Sequence, residues 1–89
     1  MKIAEGFVLR KIAGEHIIAG EGLARVDFSK VISLNPSAAY LWSEVQGKEF
    51  GPDELVRLLL DRYDVDEATA RKDVTALLEG WREAGLIEE

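Results

Sequence analysis

Residues 31–42 constrain the fold more than any other segment, because the pattern there changes abruptly from extended to helical. The four residues 31–34 are apolar apart from Ser33 and are typical of a short strand. Asn35 is a favoured N-cap residue, and Pro36 suits the first helical position, where no backbone donor is needed. We therefore expect a strand that leads directly into a helix.

Two more helices are predicted after this one. Gly47 ends the first helix, and the second begins at Gly51 and Pro52. Asp66 is the expected N-cap of the third helix, and Gly85 marks its end. The third helix carries one apolar stripe, made by Ala70, Val74, Leu77, Leu78 and Trp81.

The first third of the chain is rich in strand-forming residues. Phe7–Ile12 is followed by a turn at residues 13–15, and residues 16–19 form a second β-rich run. A third run covers residues 23–28, before the strand at 31–34. The sequence thus predicts an α+β, winged-helix-like fold, in which a small N-terminal antiparallel sheet of three or four strands is followed by three helices. We expect residues 1–89 to form a single domain.

Composition excludes several kinds of site. The chain has no cysteine, which rules out disulfides and thiolate metal sites. No apolar run approaches the ~20 residues that cross a bilayer, and the start lacks a signal-peptide core, so we expect a cytoplasmic protein without a membrane partner.

Catalytic or metal-binding chemistry is hard to place in this sequence. His16 is the one histidine and falls in a predicted strand, where a structural role is expected. Asp64, Asp66 and Glu67 flank a helix start, where acids interact favourably with the helix dipole, and they do not match a calcium loop. We therefore expect a non-enzymatic protein with no cofactor and no metal.

The predicted helix-turn-helix raises the question of nucleic-acid binding. Residues 35–89 contain six basic and thirteen acidic side chains, whereas residues 1–34 contain five basic and four acidic ones. The third helix, residues 66–83, is net negative and has no Asn or Gln to read a base. This charge disfavours nucleic acid, and a basic peptide or protein patch is the better match.

Peptide binding is favoured by the strand at 31–34, which is the last before the helices and is expected to be a sheet edge. An unpaired edge can accept a partner segment as an added strand. Alternation places Ile32 and Leu34 on the face toward the helices. Val74 and Leu78 suit a groove wall on the third helix or the domain core equally well. The predicted peptide-binding residues are Val31, Ile32, Ser33, Leu34, Arg71, Val74, Thr75 and Leu78.

The ordered set of features across the chain resembles the PqqD-like family, named for the D protein of pyrroloquinoline quinone biosynthesis. The resemblance is carried by residues 32–35, 37–39 and 41–42, by Gly47, by residues 55–63, by Asp73-Val74 with Leu77-Leu78, and by residues 85–87. It implies a peptide chaperone that holds the leader of a ribosomally made precursor peptide as an added strand beside the third strand and against the third helix. It also implies presentation of that peptide to a modifying enzyme, often a radical SAM enzyme.

The leading hypothesis is accordingly a leader-peptide-binding module, present as a monomer or a weak homodimer. A winged-helix DNA-binding or regulatory domain is the alternative.

Overall fold

The computed structural model describes residues 1–20 and 32–89. The elements are, in chain order, β1 (Lys2–Ile3), β2 (Phe7–Ile12), β3 (Glu15–Gly20), β4 (Ile32–Leu34), α1 (Pro36–Val45), α2 (Pro52–Arg62), α3 (Glu67–Glu83) and β5 (Ile87–Glu88). The predicted α+β order of a small antiparallel sheet followed by three helices is confirmed. The strand predicted at residues 23–28 and the first residue of the strand predicted at 31–34 lie outside the described residues.

The main sheet contains three antiparallel strands in the order β2-β3-β4. β2 and β3 form a hairpin whose two turn residues, Ala13 and Gly14, both have positive φ angles, of 52° and 83°. A two-residue turn with this handedness matches the twist of the strands it joins. β3 is the central strand, because it also pairs with β4.

The three helix starts follow the predicted signals. The Asn35 side chain accepts a hydrogen bond from the Ala38 N–H at 2.8 Å, and Pro36 is the first residue of α1. α2 begins with Pro52 after Gly51. The Asp66 carboxylate accepts from the Thr69 N–H at 2.7 Å, and this hydrogen bond lowers the pKa of Asp66.

The C-terminal end of α3 is closed by Gly85, which has a φ of +74°. The Leu86 N–H then donates to the Trp81 carbonyl at 2.9 Å, which satisfies a carbonyl of the last helical turn. Beyond this reversal, β5 pairs with β1 in a separate two-stranded sheet. Leu86 therefore makes a helix-capping contact, and Ile87 continues the chain into a strand.

One hydrophobic core joins the sheet to all three helices. The α3 stripe supplies Ala70, Val74, Leu78 and Trp81, while Leu77 is only half-buried. α1 contributes Trp42, which has no exposed surface, and Leu41. None of the described helices has both the length and the apolar character required to span a bilayer.

Candidate functional site

Among the described strands, β4 lies at one edge of the main sheet. Within the described residues its strand partner is β3, with Ile18 opposite Ile32, Ile17 opposite Ser33, and His16 opposite Leu34. A strand paired on one side leaves main-chain donors and acceptors directed toward its other side. β4 can therefore accept a further strand.

The side chains of β4 alternate as predicted. Leu34 is buried in the core, Ile32 is half-buried against it, and Ser33 is exposed. The face of β4 toward the helices is thus apolar, and the opposite face is open to solvent.

The junction between β4 and α1 is held by a small hydrogen-bonded cap. Asn35 has extended backbone angles and begins the helix directly after Leu34. Its side-chain oxygen accepts hydrogen bonds from the Ala38 N–H and from the Ser37 hydroxyl, the latter at 2.9 Å. The cap fixes the direction in which α1 leaves the strand.

A concave surface of about 410 Å³, which we name the α1–α3 groove, begins at this junction. It separates the first turns of α1 from the middle of α3. Its floor is apolar and its rim is polar. The lining residues are Asn35, Ser37, Ala38, Leu41, Asp73, Ala76 and Leu77.

Asp73 gives the groove its negative charge. Its side chain is exposed, and within the described part of the chain it forms no hydrogen bond and no ion pair. Leu77 lies one turn further along the same flank of α3. A carboxylate beside an apolar surface can bind a cationic side chain whose aliphatic stem packs on that surface.

A second hollow of about 370 Å³ continues from the groove across the end of β4. It shares Asn35 with the groove and is bounded on the other side by His16 and the β2–β3 turn. An extended segment seated along β4 would therefore meet concave surface beyond the end of the strand.

The α3 residues predicted for the site fall on two different faces. Val74 and Leu78 are core residues, with 1% and 2% of their surface exposed. Arg71 and Thr75 lie on the flank toward α2. Arg71 pairs with Asp53 of α2 at 2.9 Å and with Glu67 at 3.1 Å.

These contacts occupy the polar groups of that flank. The hydrogen bond to Asp53, followed by that to Glu67, raises the pKa of Arg71. The Thr75 hydroxyl donates to the Arg71 carbonyl at 2.8 Å. Sequence reasoning did not select Asp73, Ala76 and Leu77 as binding residues. The sequence signal that could have identified them is their spacing: Ala76 and Leu77 follow Asp73 by three and four residues, so all three lie on one flank of the helix, beside the apolar stripe.

The described residues contain no cluster of three or more His, Cys, Asp or Glu side chains able to hold a metal ion. The residues that line the α1–α3 groove instead offer a carboxylate, an amide, a hydroxyl and apolar surface. This set can hold a peptide through hydrogen bonds, charge and apolar contact.

The chain matches the family model described as "Coenzyme PQQ synthesis protein D (PqqD)" over residues 8–87. It is also similar to the solved structure "TbiB1 in Complex with the TbiA(beta) Leader Peptide", with 25% identity, a TM-score of 0.75, and coverage of 99% of this chain and 95% of that one. A second structure, "Lasso peptide synthetase B1 complexed with the leader peptide", shares the fold, with 16% identity, a TM-score of 0.73, and coverage of 99% and 96%. Curated proteins gave no significant match.

Proposed function

The chain belongs to the PqqD family, and we propose that it binds the leader of a ribosomally synthesised precursor peptide. The leader adds to β4 as a further strand and places side chains in the α1–α3 groove. In this function the chain is a non-enzymatic chaperone that presents the peptide to a modifying enzyme.

The observation that carries the proposal is that the edge of β4, which no other described strand occupies, adjoins the α1–α3 groove. Strand addition supplies main-chain hydrogen bonds, and the groove supplies side-chain selectivity. Support comes from TbiB1, whose structure contains a leader peptide and which the chain matches over 99% of its length.

The charge of the groove suggests the kind of leader that it accepts. Asp73 is unpaired within the described residues, and the chain as a whole has a net charge of -6. A basic side chain next to an apolar one would pair with Asp73 while its neighbour packs on Leu77. We therefore propose a leader with an aliphatic or aromatic residue beside a Lys or Arg.

The partner enzyme and the cellular setting are further parts of the proposal. A radical SAM enzyme is the class that we propose for the modifying partner, and binding of the newly made precursor would take place in the cytoplasm.

One core connects Ile3 with Leu86, which supports treating residues 1–89 as a single recognition domain. We expect a monomer or a weak homodimer, the latter pairing through the edge of β4.

A peptide-display experiment tests the proposal. A library of random peptides long enough to span β4 and the groove is selected on the folded protein, and an enriched peptide is titrated into the ¹⁵N-labelled chain. We expect chemical-shift changes at residues 32–34 and along the groove flank of α3. Failure to enrich any peptide, or shift changes confined to β2 or to the outer face of α2, would contradict the proposal.

A matched pair of variants on α3 provides the control. Ala76 is exposed within the groove, whereas Ala68 is exposed near the start of the same helix and outside the groove. Ala76→Arg fills the groove and neutralises Asp73, so peptide binding should be lost. Ala68→Arg adds the same side chain elsewhere and should leave binding intact. Equal binding by the two variants would place the peptide outside the groove.

A further inference from the structure

A further concave surface lies on the opposite flank of α1 from the α1–α3 groove. It has a volume of about 290 Å³ and is bounded by the main sheet, α1 and the end of α2. We name it the tyrosine cleft. The residues that matter for its chemistry are Leu9, His16, Tyr40, Ser43, Arg62 and Tyr63.

The two tyrosine rings and the Arg62 guanidinium pack against one another. The rings of Tyr40 and Tyr63 meet edge to face, with centroids 6.2 Å apart and planes at 75°. The Arg62 guanidinium lies over the Tyr40 ring, 4.4 Å from its centroid. Both tyrosines are half-buried. A cation held over an aromatic face in this way has a restricted orientation before any partner arrives.

Within residues 1–20 and 32–89, Arg62 lacks the carboxylate partners that hold Arg71 and Arg82. Arg71 pairs with Asp53 and Glu67, and Arg82 pairs with Glu89. Arg62 forms no ion pair with any carboxylate in the part of the chain that the structure describes. Its guanidinium donors remain available to an incoming acceptor.

We propose that the tyrosine cleft binds an acidic segment of a partner protein, with a carboxylate on Arg62 and a neighbouring apolar side chain against the tyrosine rings and Leu9. Charge complementarity at the cleft favours this occupant, because Arg62 is a cation with no carboxylate partner among the described residues. The volume is just below the range for small-molecule pockets and suits one or two side chains.

The position of the cleft on α1 allows a partner to bind there while the groove is occupied. Ser37, Ala38 and Leu41 of α1 face the groove, whereas Tyr40 and Ser43 of the same helix face the cleft. The two sites lie on opposite flanks of one helix, so both can be filled together. If the proposed function holds, the chain carries the leader on one flank of α1 and docks the modifying enzyme through the other.

An NMR titration tests the cleft without requiring the partner. The probes are the tripeptide Leu-Glu-Phe, acetylated and amidated at its ends, and its Leu-Gln-Phe counterpart, each added to millimolar concentration. We expect the glutamate probe to shift the side-chain signals of Tyr40, Tyr63 and Arg62. The glutamine probe should bind about fivefold more weakly, as expected for loss of an exposed ion pair.

Variants separate charge recognition from a general loosening of the fold. Arg62→Gln should remove the difference between the two probes, and Arg62→Lys should retain it. Arg57→Gln, on the same helix but away from the cleft, should behave as the unmodified chain. Equal binding of both probes, a preference for glutamate that survives in Arg62→Gln, or no shifts at these side chains would overturn the proposal.

The leader-binding function and the tyrosine cleft can be disproved independently of each other. A display-selected peptide should bind Arg62→Gln as tightly as it binds the unmodified chain, because it occupies the other flank of α1. If no peptide is selected but the glutamate probe still binds at Arg62, the leader-binding function fails and the tyrosine cleft stands.

Discussion

The indole rings of Trp42 and Trp81 meet edge to face in the core, with centroids 5.3 Å apart and planes at 84°. Trp42 belongs to α1 and Trp81 to α3, the two helices that form the walls of the α1–α3 groove. The contact therefore helps to set the separation of those walls.

Truncation of Trp81 should destabilise the domain strongly. Its side chain is almost fully buried, so Trp81→Ala should lower the free energy of unfolding by about 3–5 kcal/mol. Trp81→Phe should cost less, because it keeps an aromatic ring and removes a buried indole N–H that has no partner within the described residues. Urea unfolding followed by circular dichroism measures both. A Phe variant as unstable as the Ala variant would argue against this account.

Two substitutions on opposite flanks of α3 locate the peptide. Asp73→Asn should weaken binding of a display-selected basic peptide by about fivefold, since an exposed ion pair is lost. Arg71→Gln should leave the affinity unchanged, because Arg71 is held by α2. Fluorescence anisotropy with labelled peptide measures both affinities. The reverse result would support the sequence prediction that Arg71 and Thr75 contact the peptide.

Stability should depend on pH through Asp66. Its pKa is lowered from the ordinary value of 3.8 by the hydrogen bond from Thr69, so the charged form is favoured in the folded chain. The resulting stability is fully present above that ordinary pKa and is lost as the pH falls through the lower, folded value. Asp66→Asn keeps a capping oxygen but does not titrate. The stability of the unmodified chain relative to Asp66→Asn should therefore fall when urea midpoints are measured from neutral pH to about pH 2. A constant difference across that range would contradict the assignment.

Two glycines near the end of α3 should respond in opposite directions to alanine. Gly85 has a φ of +74°, which costs a side-chain-bearing residue about 1 kcal/mol or more, so Gly85→Ala should destabilise the domain. Gly80 lies inside the helix, and an added Cβ there meets nothing within 4 Å. Gly80→Ala should stabilise by about 0.4–1 kcal/mol. Thermal unfolding of the pair supplies the test, and a shift of the same sign in both would count against it.

The elements that sequence reasoning placed best are those with local signals. Asn35, Pro52 and Asp66 mark helix starts through backbone geometry and capping chemistry, and the structure confirms all three. The turn at Ala13 and Gly14 likewise depends on the conformation of neighbouring residues alone. β1 was not predicted. It has two residues and depends on pairing with β5 at the far end of the chain, which no local pattern can reveal.

The candidate site was only partly accessible from the sequence. Alternation in β4 is a local property, and it correctly placed Ile32 and Leu34 on the inner face. Which flank of the α3 stripe faces α1 depends on the rotation of the helix in the packed core, and periodicity alone does not determine that rotation. The assignment of the groove to Asp73, Ala76 and Leu77 therefore required the structure.

The nature of strand pairing has a consequence for how recognition can diversify. If the leader adds to β4 as proposed, the main-chain hydrogen bonds along Ile32–Leu34 are ones that most peptides could form equally well. Discrimination between peptides would then come from the few side chains of α1 and α3 that line the groove, because the opposite faces of these helices are buried in the core. On this proposal, exchange of surface residues on one flank of α3 would change the ligand, while the strand, the cap at Asn35 and the tryptophan pair could stay the same.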